Sequence, residues 1–140
     1  MQIKFKKLDP QAKIPEYAHP GDAGMDLFSV ESYVLQPGER RFFKTGLAAE
    51  IPKGYYVRIS PKSGLALNGG IDVLAGIMDN GYRGEWLVTL INLGDQPYEF
   101  KIGDKLAQAI VAKLETPGII EVNELSSSER GDGRFGSTGR

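Results

Sequence analysis

The sequence predicts an all-β fold, a jelly-roll-like barrel or sandwich with a flexible C-terminal arm. Three observations carry this expectation. Eighteen Gly and eight Pro punctuate 140 residues, leaving few gaps long enough for a helix of average length. The stretches between them are rich in β-branched and aromatic residues, which suit a pleated surface. Turn signals recur about every 8–12 residues, the spacing of a sandwich or barrel.

The elements follow in order. "IKFKKL" (3–8), "AGMDLFS" (23–29), "RRFFKTGL" (40–47) and "YYVRIS" (55–60) read as strands separated by Pro-Gly or Gly signals. After Pro61, "SGLALNGG" has the composition of a short helix that starts at Ser63 and stops at the Gly69-Gly70 pair. Asn80-Gly81 is a two-residue turn signal that predicts a hairpin with Asp79 and Tyr82 near its tip. "WLVTLIN" (86–92) and "YEFKI" (98–102) are further strands. "KLAQAIVAKLE" (105–115) has helix propensity, but Leu106, Ala109, Ile110 and Val111 fit a buried strand nearly as well, and the strand is the preferred reading. Beyond it, "ELSSSERGDGRFGSTGR" loses almost all core-type residues, so the chain divides into a β domain, 1–125, and an arm, 126–140.

Composition excludes several functions. A formal charge of −1 lacks the basic excess that a broad nucleic-acid or membrane surface needs. With no cysteine and one histidine, thiolate zinc sites, cysteine nucleophiles and multi-histidine cages are excluded. His19 stands in "YAHPGDAG", a surface turn by its Pro20-Gly21. No apolar run approaches the ~20 residues of a membrane span and no leader pattern opens the sequence, so the expected location is cytoplasmic.

Four stretches can carry chemistry. "PKSGLA" (61–66) offers a cation, a hydroxyl and an approachable backbone N–H, as a small phosphate site does; a solvated turn has the same pattern. Asp79 and Tyr82 pair an acid with an aromatic ring, suited to activating a water beside a planar base; the plain alternative is a turn-capping Asp and a packing Tyr. Asp26 alternates with Met25 and Leu27, which predicts that it faces away from the core at an exposed strand position. In the tail, Arg130, Arg134, Ser137 and Thr138 suit a triphosphate and Phe135 a base; a frayed terminus has a similar composition.

Taken in order, "AGMDLFS", "PKSGLA", "GIMDNGYRGE", "GDKLAQ" and "RGDGRFGSTG" resemble the five motifs of the trimeric dUTPases, over residues 20–140. The resemblance implies a jelly roll assembled as a homotrimer with active sites shared among subunits. It implies hydrolysis of dUTP to dUMP and pyrophosphate, which limits uracil in DNA and supplies dUMP for thymidylate synthesis. The cofactor it implies is Mg2+, held by the substrate phosphates and water and not by protein ligands. Its catalytic residues are Asp79, which orients the attacking water, and Asp26, which acts close to the phosphates. Substrate contacts carried over are Lys62, Ser63, Gly64 and Gln108 at the phosphates, and Tyr82 at the deoxyribose. The backbone from Val73 to Ile77 and Met78 would read the uracil, and Arg130, Phe135, Gly136, Ser137 and Thr138 would form a closing arm. A dCTP deaminase-like enzyme of the same superfamily and an inactive nucleotide-binding relative are the alternatives. Three positions depart from the family pattern: Lys62 where Arg is usual, Asn80-Gly81 in place of a more acidic turn, and Arg134 where Gly precedes the Phe of the arm.

Overall fold

The computed structural model describes residues 1–134. Ten strands and one short helix follow one another: β1 Lys4–Lys7, β2 Gly24–Phe28, β3 Tyr33–Leu35, β4 Arg40–Glu50, β5 Tyr55–Ser60, α1 Ser63–Gly69, β6 Ile71–Leu74, β7 Ile77–Met78, β8 Glu85–Asn92, β9 Tyr98–Phe100 and β10 Lys105–Lys113. One four-stranded sheet has the order β1-β4-β8-β6, a second β2-β10-β5-β7, and β3-β9 form a two-stranded third. Every pairing is antiparallel. The result is an all-β, jelly-roll-like fold, as the punctuation and strand composition predict.

Alternation explains β8 most simply. Trp86, Val88, Leu90 and Asn92 point inward, with Glu85, Leu87, Thr89 and Ile91 between them only partly covered. The segment with helix propensity is β10, because it lies centrally in its sheet between β2 and β5 and buries Leu106, Ala107 and Ala109 completely. Burial on both sides overrides local propensity there. The short helix lies where the sequence places it, ending on Gly70 in the left-handed region, whose N–H reaches the carbonyls of Ala66 and Leu65.

The Asn80-Gly81 turn corrects the hairpin expectation. The Tyr82 N–H donates to the Asp79 carbonyl at 3.1 Å, so a turn forms, but β7 and β8 belong to different sheets. Neither Asn80 nor Gly81 has positive φ, which a two-residue hairpin of type I′ requires. An ordinary turn also accepts Asn-Gly, and here it carries the chain from one sheet to the other.

The core joins the sheets through aromatic contacts. Phe43 of β4 is fully buried, with its ring centroid 4.9 Å from that of Phe100 and 6.2 Å from that of Tyr33. Replacing Phe43 with Ala should cost about 3–5 kcal/mol, because the void lies where two sheets meet and neither can collapse alone. Urea melts of the two proteins check this; a loss under ~1 kcal/mol would show that the site closes up.

Candidate active site

Asp26 sits at the centre of β2, which is buried along its whole length. Its N–H donates to the Glu16 carbonyl at 2.8 Å, and Gln108 of β10 is its cross-strand partner. The residue is 3% exposed, which corrects the expectation of an exposed strand position. Alternation does place Asp26 on the opposite face from its neighbours, but that face is roofed by the β5–α1 connection and the start of β10. Lys62, the residue before α1, donates to Asp26 Oδ1. The Lys105 ammonium lies 2.7 Å from Oδ2 as an ion pair.

Burial pushes the Asp26 carboxyl upward, but Lys105 and Lys62 together outweigh it and hold the group below its ordinary value. Asp26 in turn raises Lys105. The cluster is therefore a carboxylate with two ammoniums at neutral pH. It faces a cleft of about 390 Å³ lined by Lys62, Gly64, Leu65, Asn68, Asp104 and Lys105, with Tyr98 and Phe100 behind. Ser63 and Gly64 open α1 beside it, both exposed. Gln108 is fixed next to the cluster: its Nε2 donates to the Pro61 carbonyl at 2.9 Å. A Cβ at Gly24 would lie 2.6 Å from Gln108 Oε1, so only glycine leaves that amide its place.

A second constellation surrounds Asp79. The corner between β6 and β7 turns on Ala75, whose φ of 54° makes it the one non-glycine residue with positive φ among the described residues. At Gly76 the backbone presses on the Ile59 carbonyl with no room for a Cβ, and the Ile59 N–H donates to the Gly76 carbonyl at 2.6 Å. Val73 is partly covered, its N–H held by the Asp72 carboxylate at 2.8 Å. Ile77 is exposed, whereas the Met78 side chain lies in the core, leaving only its backbone to a ligand. Asp79 is exposed, and Tyr82, 43% exposed, donates its hydroxyl to the Glu85 carbonyl at 3.0 Å. Arg83 clips the turn, its Nη1 2.6 Å from the Asn80 carbonyl and 2.9 Å from that of Tyr82. Ile77, Met78, Asp79, Tyr82, Glu85 and Leu87 line a depression of about 250 Å³.

The two depressions share no lining residue. One chain thus gathers Asp26, Lys62 and Gln108 in one place and Asp79 with Tyr82 in another. Arg130 is exposed, its Nε donating to the Gly133 carbonyl at 3.1 Å, while Phe135, Gly136, Ser137 and Thr138 lie outside the described residues. His19 is in an exposed turn closed by its N–H on Asp22 Oδ2 at 2.9 Å. Sequence reasoning missed Lys105 and Arg83. Both lie within quoted motifs, "GDKLAQ" and "GIMDNGYRGE", which is the signal available, but the strand pattern assigns neither a role.

The family model described as dUTPase matches residues 10–139. The chain belongs to the dUTPase family. A dUTPase relative from Nautilia profundicola, named deoxyuridine 5'-triphosphate nucleotidohydrolase, is 49% identical over 142 residues, covering all of both chains. A second of that name, from Thermobifida fusca, is 46% identical over 99% of this chain and 79% of its own length. Among solved structures, a point mutant of the dUTPase of Staphylococcus bacteriophage 80alpha with dUpNHpp superposes at a TM-score of 0.93, with 30% identity over 99% of each chain. A point mutant of the dUTPase of phage phi11 of S. aureus, described with a structural Mg(II) ion, superposes at 0.82, with 28% identity over 89% of this chain and 98% of that one. The dUTPase likeness thus extends over both constellations. Among the described residues no helix is long and apolar enough to cross a membrane.

Proposed function

We propose that the chain hydrolyses dUTP to dUMP and pyrophosphate, with a water oriented by Asp79 attacking the α-phosphorus. The observation that carries this reading is the full-length dUTPase match, together with an exposed Asp79 beside a half-exposed Tyr82. Asp79 accepts a proton of the water as its oxygen bonds to the α-phosphorus. The bridging bond to the β-phosphate breaks, and pyrophosphate leaves with the electron pair. Tyr82 packs against the deoxyribose and disfavours a ribose 2'-hydroxyl. The fixed backbone from Val73 through the Ala75–Gly76 corner to Ile77 and Met78 presents donors and acceptors to the uracil edge. Such a rigid edge rejects cytosine by leaving buried polar groups unpaired.

Lys62, Ser63, Gly64 and Gln108 hold the phosphates. Lys62 does so as a point charge, where an Arg would grip with two parallel bonds. Arg130, Phe135, Gly136, Ser137 and Thr138, in the arm 126–140, close over the triphosphate and exclude water. Mg2+ enters on the substrate. Among the described residues no three His, Cys, Asp or Glu cluster as a ligand set, and the Asp26 carboxylate is already engaged by two ammoniums. In this reading the ion is held by the substrate phosphates and water, and its contribution is charge neutralisation on the phosphates.

A homotrimer with shared sites is the assembly this reading takes, and two depressions with no lining residue in common on one chain support it. Beyond β10 the chain also carries Ile119, Ile120 and Leu125, 97%, 81% and 88% exposed, apolar surface that a neighbouring subunit would cover. Pyrophosphate release from dUTP, dCTP and dTTP with Mg2+ present tests the reading. At least ~100-fold preference for dUTP is expected. Ammonia release from dCTP would favour the deaminase alternative instead.

A further inference from the structure

We infer that Lys105 is a second phosphate-facing cation of this site, and that Asp26 is a positioning residue holding Lys62 and Lys105 as a pair. The inference rests on the dUTP reading and deepens it.

The geometry begins with a defect in β10. Lys105 lies opposite Phe28, while Ala107 lies opposite Leu27, so the register slips between them. In a regular strand residues 105 and 108 point to opposite faces. The bulge removes that alternation and sets Lys105 on the face of Phe28, which is also the face of Asp26 and its partner Gln108. Leu106 and Ala107, consecutive and both fully buried, mark the same slip.

The charge count completes the argument. A single ammonium would neutralise one buried carboxylate, yet Asp26 has two, leaving one positive charge over. The Asp26 side chain is 4% exposed, whereas those of Lys62 and Lys105 are 28% and 46% exposed, and both ammoniums line the same cleft. Both cations therefore reach toward the opening. Asp104, the other acid on that lining, is turned to its own loop, its Oδ2 accepting the Lys101 N–H at 2.8 Å. Glu16 and Asp22 act on Lys105 more weakly than Asp26 does. Two ammoniums fixed on one carboxylate form a preorganised anion seat that need not gather its cations when a polyphosphate arrives.

Calorimetric titration of the full chain with dUpNHpp and with deoxyuridine, which lacks phosphates, tests this. Lys105→Gln should weaken dUpNHpp about tenfold and lessen the salt dependence of its binding, while deoxyuridine stays within about twofold. Lys105→Arg should restore most of the loss, since it keeps the charge. Lys105→Met keeps the aliphatic stem and gives the same reading if the Gln variant does not fold. Unchanged dUpNHpp affinity in either folded neutral variant would overturn the role given to Lys105, leaving it a stabiliser of Asp26. Wild-type protein that binds dUpNHpp no better than deoxyuridine would overturn the phosphate reading of the cleft itself, and this inference with it.

Discussion

Replacing Asp79 with Asn is expected to lower kcat for dUTP about a thousandfold while the affinity for dUpNHpp stays within about threefold. The substitution is nearly isosteric, and the turn that carries it should survive. Its closing hydrogen bond runs from the Tyr82 N–H to the Asp79 backbone carbonyl, and Arg83 clips the same turn through backbone oxygens only. Among the described residues no cation pairs with Asp79, so its loss strands no buried charge. What disappears is a carboxylate able to orient a water and accept its proton. Steady-state kinetics and calorimetry on the same preparation separate the two effects. A near-normal kcat would remove Asp79 from the chemistry.

Replacing Asp26 with Asn is expected to reduce kcat/KM about a hundredfold, mostly through KM, and to destabilise the fold by about 1–2 kcal/mol. A fully buried ion pair broken at one end costs about 3–5 kcal/mol. The lower figure applies here because solvent reaches both lysines and screens them. The pH dependence has a definite sign. The Asp26 carboxyl titrates below its ordinary value in the fold. Its stabilising contribution is thus present above the unfolded value of about 4, and is lost as pH falls through the folded one. Urea melts at neutral pH should separate wild type from variant, and melts well below pH ~4 should bring them together. A stability gap that persists unchanged into acid would show that packing, not charge, accounts for the difference.

Much of this was legible in the sequence because strands and turns leave local signatures. The period of two in "EWLVTLIN" reads directly as β8, and the Gly pair after "SGLALN" ends α1 where it should. The less legible features depend on distant chain. Asp26 alternates as an exposed residue would, and only the arrival of Lys62 and Lys105 from elsewhere buries it as a carboxylate. Lys105 stands within "GDKLAQ", yet strict alternation places it away from Gln108, and the register shift that reverses this is seen only in the fold. Asn80-Gly81 announced a turn correctly but could not say which sheets it joins. Ala75 gave no sign of its positive φ, since that conformation is imposed by the Gly76–Ile59 contact at the sheet edge.

Because Asp79 and the Lys62 cluster line different depressions on one chain, the proposed sharing of the site between subunits is directly measurable. Two variants, Asp79→Asn and Lys62→Gln, should each be nearly inactive alone. Unfolded together and refolded at equal amounts, they should recover roughly a quarter of wild-type activity, because chance assembly in a closed ring then places an intact Asp79 beside an intact Lys62 from a neighbour. Recovery no greater than the summed activities of the separate variants would contradict the shared site and place both functions on a single chain.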